Sequence, residues 1–175
     1  KQRLGSLWPA AASPDAPLAA LLDTDLEELR RAYSGLFEVG DEGPPVPIRE
    51  HLANDDRGGA REEVVRFYEH FGYALSEQHA WQPDHLSVEL EFVHMLCWHE
   101  SQAADGAAAL PFQLAQADFT QRHLAAWTPA LAAQVTARAP GSLYAHVTRA
   151  VADFVVADDT WQRATLVVEG PGAPG

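Results

Sequence analysis

Leucine, tyrosine and phenylalanine recur in this chain in steps of three and four, and nowhere do apolar residues alternate over the length of a strand. Leu26, Leu29, Tyr33, Leu36 and Phe37 make one such stripe; Val64, Val65, Phe67, Tyr68 and Phe71 make another. A repeat near 3.6 lines up one face of a helix, whereas a half-buried strand needs a repeat of two. Val, Ile, Thr and Tyr never gather into regularly spaced alternating runs, which argues against a sheet protein. The apolar share, 47% of 175 residues, leans on alanine, which favours helices and lets them approach closely. The reading is all-α: a single-domain bundle of about six helices over residues 1–175, with 1–17 and 167–175 as loose ends and one long Pro/Gly-rich loop.

The punctuation sets the boundaries. "DTDLEELRRAYSGLF" reads as the first helix, capped by Asp23 or Thr24 and acidic in its first turn. Residues 38–59 then hold three prolines and four glycines, a long irregular connection that compact domains seldom carry without a functional or disorder-related reason. A second helix starts near Gly59. "SEQHAWQ" is a turn, and Pro83 suits the first position of a third helix ending near "ADGAA". A fourth runs from about Pro111 to Trp127, a fifth is opened by Thr128-Pro129 and closed by Pro140, and "GSLYAHVTRAVADFVVADDTWQR" makes a sixth.

Charge limits the partners. Twenty-five acids against twelve Lys and Arg give −13, a surface that repels phosphate backbones and anionic lipid, so neither nucleic acid nor stable membrane insertion is expected. It suits a basic partner such as an Arg-containing peptide, or it serves only solubility. Cys97 is the single cysteine, which excludes an internal disulfide and any multi-cysteine metal site. No apolar run approaches the roughly 20 residues of a membrane span. No signal peptide is visible, although the chain opens on Lys1 rather than Met; a cytoplasmic protein is the simplest expectation. The GxxxxGK and GxSxG patterns are absent, the isolated "GPGAPG" at 170–175 is too generic to count as a phosphate loop, and no cofactor is expected.

The densest chemistry lies in "QPDHLSVELEFVHMLCWHE", residues 82–100. At about 100° per residue, Leu86, Val88, Leu90, Phe92, Val93, Met95, Leu96 and Cys97 cover one apolar arc. His85 and Glu89 fall inside it, four apart and so neighbours. A carboxylate there costs several kcal/mol unless protonated or paired, and the imidazole is one available partner. The opposite side holds Asp84, Glu91 and Trp98 in a line, either an Arg- or Lys-receiving strip or an ordinary solvated face. Trp81, Trp98 and Trp127 are candidate anchors for a partner. A metal site from His94, Cys97 and His99 has the right residue types but the wrong angular spacing, and Cys97 reads as a small buried hydrophobe. Two further readings stay open: a small helical enzyme using His85 and Glu89 as acid and base, and a metal-binding protein.

"PDHLSVELEF" resembles the central motif of the TorD/DmsD/NarJ family of redox-enzyme maturation chaperones. "DLEELRRAYSGLF" is similar to the family's "L…Y..LF" helix, "GDEGPPVPIREHL" to the loop after it, and "VVRFYEHFGYAL" to the next helix. The similarity covers roughly residues 22–155, and within the family it is greatest to chaperones of type II dimethyl-sulfoxide-reductase enzymes. The family usually begins with another helix, and Arg49 and His51 flank Glu50 where an aromatic or small residue is usual. The resemblance implies a cytoplasmic helical chaperone, not an enzyme, that binds the apo catalytic subunit of a molybdenum enzyme and its N-terminal twin-arginine signal peptide. It leaves open a weak contact with guanine nucleotide or molybdenum cofactor. The motif positions carried over are Asp84, His85, Glu89 and Phe92, with Tyr33, Phe37 and Glu50; Glu91 and Trp98 join them as surface candidates.

Overall fold

The computed structural model describes residues 25–38, 40, 43–54, 59–77 and 79–166. Residues 1–17 and 167–175, expected as loose ends, lie outside the described residues, as do Asp23 and Thr24. Among the described residues the architecture is all-α. The helices are α1 (Leu26–Phe37), α2 (Glu50–Ala53), α3 (Gly59–Phe71), α4 (Leu86–Gln102), α5 (Gly106–Phe119), α6 (Ala125–Arg138) and α7 (Leu143–Leu166), with a π-helical turn, Thr120–Leu124, joining α5 to α6. Six exceed one turn, as the apolar periodicity expects; α2 is the addition, one turn set inside the irregular connection.

The ends follow local chemistry. Asp25 caps α1 by accepting from Glu28 N at 3.1 Å, so the cap falls beyond the two expected positions. α3 stops at Gly72, whose φ of 69° lets Tyr73 N reach back to Tyr68 O at 2.8 Å. Pro83 does not open α4: the helix starts at Leu86 with His85 as its cap, leaving Pro83 buried in the preceding turn. α5 likewise begins before Pro111, at Gly106 behind the Asp105 cap.

The expected break at Thr128-Pro129 is absent, and Pro129 sits inside α6. Proline removes one helical N–H and crowds the carbonyl four residues back. Just upstream the backbone widens by one residue, Ala125 N reaching Thr120 O, so the helix path continues rather than ending.

α6 packs along α7 and α4 along α5. Their shared core contains Phe92, Leu96, Phe119, Leu124, Trp127, Leu131 and Val135. Phe92 is its hub: the rings of Tyr68, Tyr73 and Phe119 lie 4.8, 5.6 and 4.8 Å from it. Among the described residues no helix is long and apolar enough to cross a membrane.

Candidate functional site

One antiparallel clasp fixes the geometry. Glu50 N donates to Asp84 O at 3.0 Å and Leu86 N to Ile48 O at 3.2 Å, so residues 48–50 run against 84–86. The clasp starts α2 and α4 at the same place. Asp84 Oδ2 then accepts from His51 N at 3.1 Å and touches His51 Nδ1, tying the first turn of α2 to the segment before α4. From α3, the Tyr68 hydroxyl donates to Pro83 O at 2.9 Å.

Beneath the clasp three acids share the interior. Glu50 Oε2 meets His123 Nδ1 at 2.9 Å, from the π turn. Glu89 Oε2 accepts from Trp127 Nε1 at 3.2 Å, while its buried Oε1 has no hydrogen-bond partner and Glu50 lies near enough to raise its pKa. Glu50, Asp84, Glu89, His123 and Trp127 are all buried, Glu89 completely. Burial raises the Glu89 pKa well above the carboxylate range, and Glu50 and Asp84 add to the rise; the Trp127 bond opposes it. A protonated Glu89 suits this arrangement, because a proton on the otherwise unpartnered Oε1 removes the buried charge beside Glu50 while Oε2 accepts from the indole. The cluster thus joins α2, α4, the π turn and α6.

His85 works at the rim. Its Nδ1 accepts from Ser87 N at 3.2 Å and lies 2.8 Å from Ser87 Oγ, which leaves Nε2 facing the Tyr33 hydroxyl at 3.4 Å. Burial lowers its pKa, helped by His79 and Arg49 against Asp84, so the ring is neutral at pH 7. Tyr33 packs on Phe37, centroids 5.1 Å apart, and Phe37 on Tyr144 at 5.7 Å; the Tyr144 hydroxyl donates to Leu29 O at 3.0 Å. α1 is thereby attached to both α4 and α7.

Several expectations are corrected. His85 and Glu89 are not a pair: one caps the helix and the other points into the core, with no hydrogen bond between their side chains. An acid–base site built on them loses its geometry, since Glu89 is sealed from solvent. Asp84 does not extend the exposed line of Glu91 and Trp98; it precedes α4 and is fully buried, because its carboxylate is used on His51. Trp127 is a core residue, not a surface anchor, whereas Trp81 and Trp98 are 60% and 54% exposed. Cys97 is exposed rather than buried, its Sγ donating to Gln116 Oε1 at 3.2 Å. His94, Cys97 and His99 do not converge, His99 being stacked on Phe112 at 5.2 Å, and among the described residues no group of three or more His, Cys, Asp or Glu is placed to hold a metal.

Tyr33, Phe37, Glu50, Asp84, His85, Glu89 and Phe92 are brought together around the start of α4; Glu91 and Trp98 lie on its exposed side. Missed were His51, Tyr68 and His123, together with the inward role of Trp127. The one signal available was thermodynamic: a carboxylate in an apolar arc demands a partner, and that partner proved to be an indole 38 residues away.

The profile of the nitrate reductase delta subunit family matches residues 8–133. The chain is 44% identical over 106 residues to the chlorate reductase assembly chaperone protein of Ideonella dechloratans, covering 59% of this chain and 55% of that one. It is 40% identical over 134 residues to the selenate reductase assembly chaperone protein of Thauera selenatis, covering 75% and 68%. With the perchlorate reductase assembly chaperone protein of Dechloromonas aromatica it shares 32% over 120 residues, covering 67% and 54%. The chain therefore spans between 54% and 68% of the length of these relatives. No solved structure matches it.

Proposed function

The chain belongs to the nitrate reductase delta subunit (NarJ/TorD) family, and from that premise we propose that it is an assembly chaperone for the catalytic subunit of a molybdenum-cofactor reductase. It acts in the cytoplasm as one helical domain, holds the apo subunit until cofactor is inserted, and covers the subunit's N-terminal signal peptide where one is present. The observation that carries this reading is the similarity across three quarters of the chain to a selenate reductase assembly chaperone, with further matches to the chlorate and perchlorate counterparts.

The geometry supports a structural rather than a chemical role for the motif. Its acids are used internally: Glu89 and Asp84 are sealed, and Glu50 is held by His123. We assign Tyr33, Phe37, Glu50, Asp84, His85, Glu89 and Phe92 to the frame. Recognition falls to the exposed side, where Glu91 and Trp98 stand, with Trp81 exposed beside Arg49 and Arg61; the chain's net charge of −13 suits a basic, partly apolar segment. Co-expression with an apo catalytic subunit tests this. A soluble one-to-one complex that weakens with salt is expected; failure to bind both the subunit and its signal peptide would refute it.

A further inference from the structure

At the opposite end of α4 from the clasp lies a second polar site that the motif does not include. Glu100 (α4), Gln113 and Gln116 (α5), and Trp161, Gln162 and Thr165 (α7) surround a cavity of about 110 Å³, which Leu166 completes. Gln113 Nε2 donates to Glu100 Oε1 at 2.9 Å and Gln116 Nε2 to Glu100 Oε2 at 2.8 Å, so the two amides fix the carboxylate while leaving each oxygen a further lone pair. On α7, Gln162 Nε2 donates to Asp158 Oδ2 at 2.5 Å.

Two features show that the set is incomplete. Gln162 is only 5% exposed, lines the cavity, and its Oε1 has no hydrogen-bond partner. A buried acceptor left unpaired costs about 1–3 kcal/mol. The second feature is charge. No Lys, Arg or His lines the cavity, and neither Glu100 nor Asp158 has a cationic partner among the described residues. Burial and the neighbouring charges of Asp159 and Glu100 raise the Asp158 pKa, while the bond from Gln162 opposes the rise. Among the described residues the site lacks a positive group with several N–H donors.

We propose that this cavity binds a guanidinium, the side chain of an arginine presented by a partner polypeptide. The fork of N–H groups can bridge both Glu100 oxygens through their free lone pairs, with a further donor for Gln162 Oε1 and the Trp161 indole as an apolar wall. Size agrees: 110 Å³ is well below the roughly 300–1,000 Å³ of a pocket for a whole small-molecule ligand. It suits one planar four-heavy-atom group on a short stem. The last turn of α4, which carries Glu100, lies beside it, and helix C-termini favour cations.

The test is a titration of the full chain with N-acetyl-arginine-amide, followed by NMR at the Gln162 side-chain amide and the Trp161 indole. Saturable shifts at both are expected, with N-acetyl-citrulline-amide, which is neutral and nearly the same shape, binding at least tenfold more weakly. N-acetyl-lysine-amide binds more weakly than the arginine probe because a point charge cannot bridge both oxygens. Free L-arginine carries the same net charge but a charged α-ammonium and α-carboxylate where a polypeptide has neutral amides, and binds no more tightly than the blocked form. Glu100→Gln reduces arginine affinity at least tenfold. No saturable shift, or equal shifts from the citrulline or lysine probe, would overturn the assignment on the unmodified protein whatever the variant does. Tighter binding of free arginine would overturn the polypeptide source.

Discussion

Replacing Glu89 by Gln separates a buried neutral acid from a buried ion. Gln has nearly the same shape, keeps a carbonyl oxygen for the Trp127 indole and supplies an N–H toward Glu50, so it mimics the protonated acid at every pH. In the unfolded chain Glu89 titrates near its ordinary 4.5, whereas in the fold burial, then Glu50, push it well above that. The sign follows: the folded state holds the extra proton, so the Glu89 contribution is complete below the unfolded value and is lost as pH rises toward the folded one. Each unit in that window costs about 1.4 kcal/mol, a loss that Glu89→Gln does not share. The amide also brings one extra N–H, and leaving it unpaired costs roughly 1–3 kcal/mol at all pH. The slope, not the absolute difference, is therefore the readout. Urea unfolding of both proteins at half-unit steps from pH 4.5 to 8 gives it. Glu89→Gln should gain on the wild type by about 1.4 kcal/mol per unit up to the folded pKa. A difference that stays flat with pH would show Glu89 to be ionised in the fold and would refute the reasoning.

Trp127→Phe keeps most of the ring but removes the indole donor, leaving Glu89 Oε2 short of a partner; a loss of about 1–3 kcal/mol in denaturant unfolding is expected. His85 titrates with the opposite sign to Glu89. Its folded pKa is lowered, so stability present above the unfolded value near 6.5 is lost as pH falls through the window beneath it. His85→Asn retains a capping acceptor for Ser87 N and should abolish that acid-side loss. Cys97 should alkylate slowly with iodoacetamide at pH 7.5 although the residue is exposed, because burial of the thiol, Asp158 and Glu100 push it up to about 11; Glu100→Gln should speed the reaction.

What could be read from the chain was local. The stripes of α1 and α3, and the apolar arc of α4, followed from 3.6-residue spacing, and a family motif marked the start of α4. What could not be read was non-local. Nothing near Glu50 in sequence announces His123, 73 residues on, and nothing near Asp84 announces His51 across the loop. Neighbouring positions on a helix suggested that His85 would partner Glu89, but His85 stands just before the helix as its cap, so the ring was already committed to Ser87. Trp127 looked available because tryptophan is common at interfaces; the buried acid opposite it decided otherwise. Pro129 read as a helix start, and only the widened turn before it shows why the helix runs through.

The chaperone account stands or falls on preference for an unfinished client. Calorimetric titration of this chain with one catalytic subunit, prepared both without and with its molybdenum cofactor, measures it. Binding to the cofactor-free form at least tenfold tighter is the expected result. Equal affinity for both forms, or none for either, would contradict it.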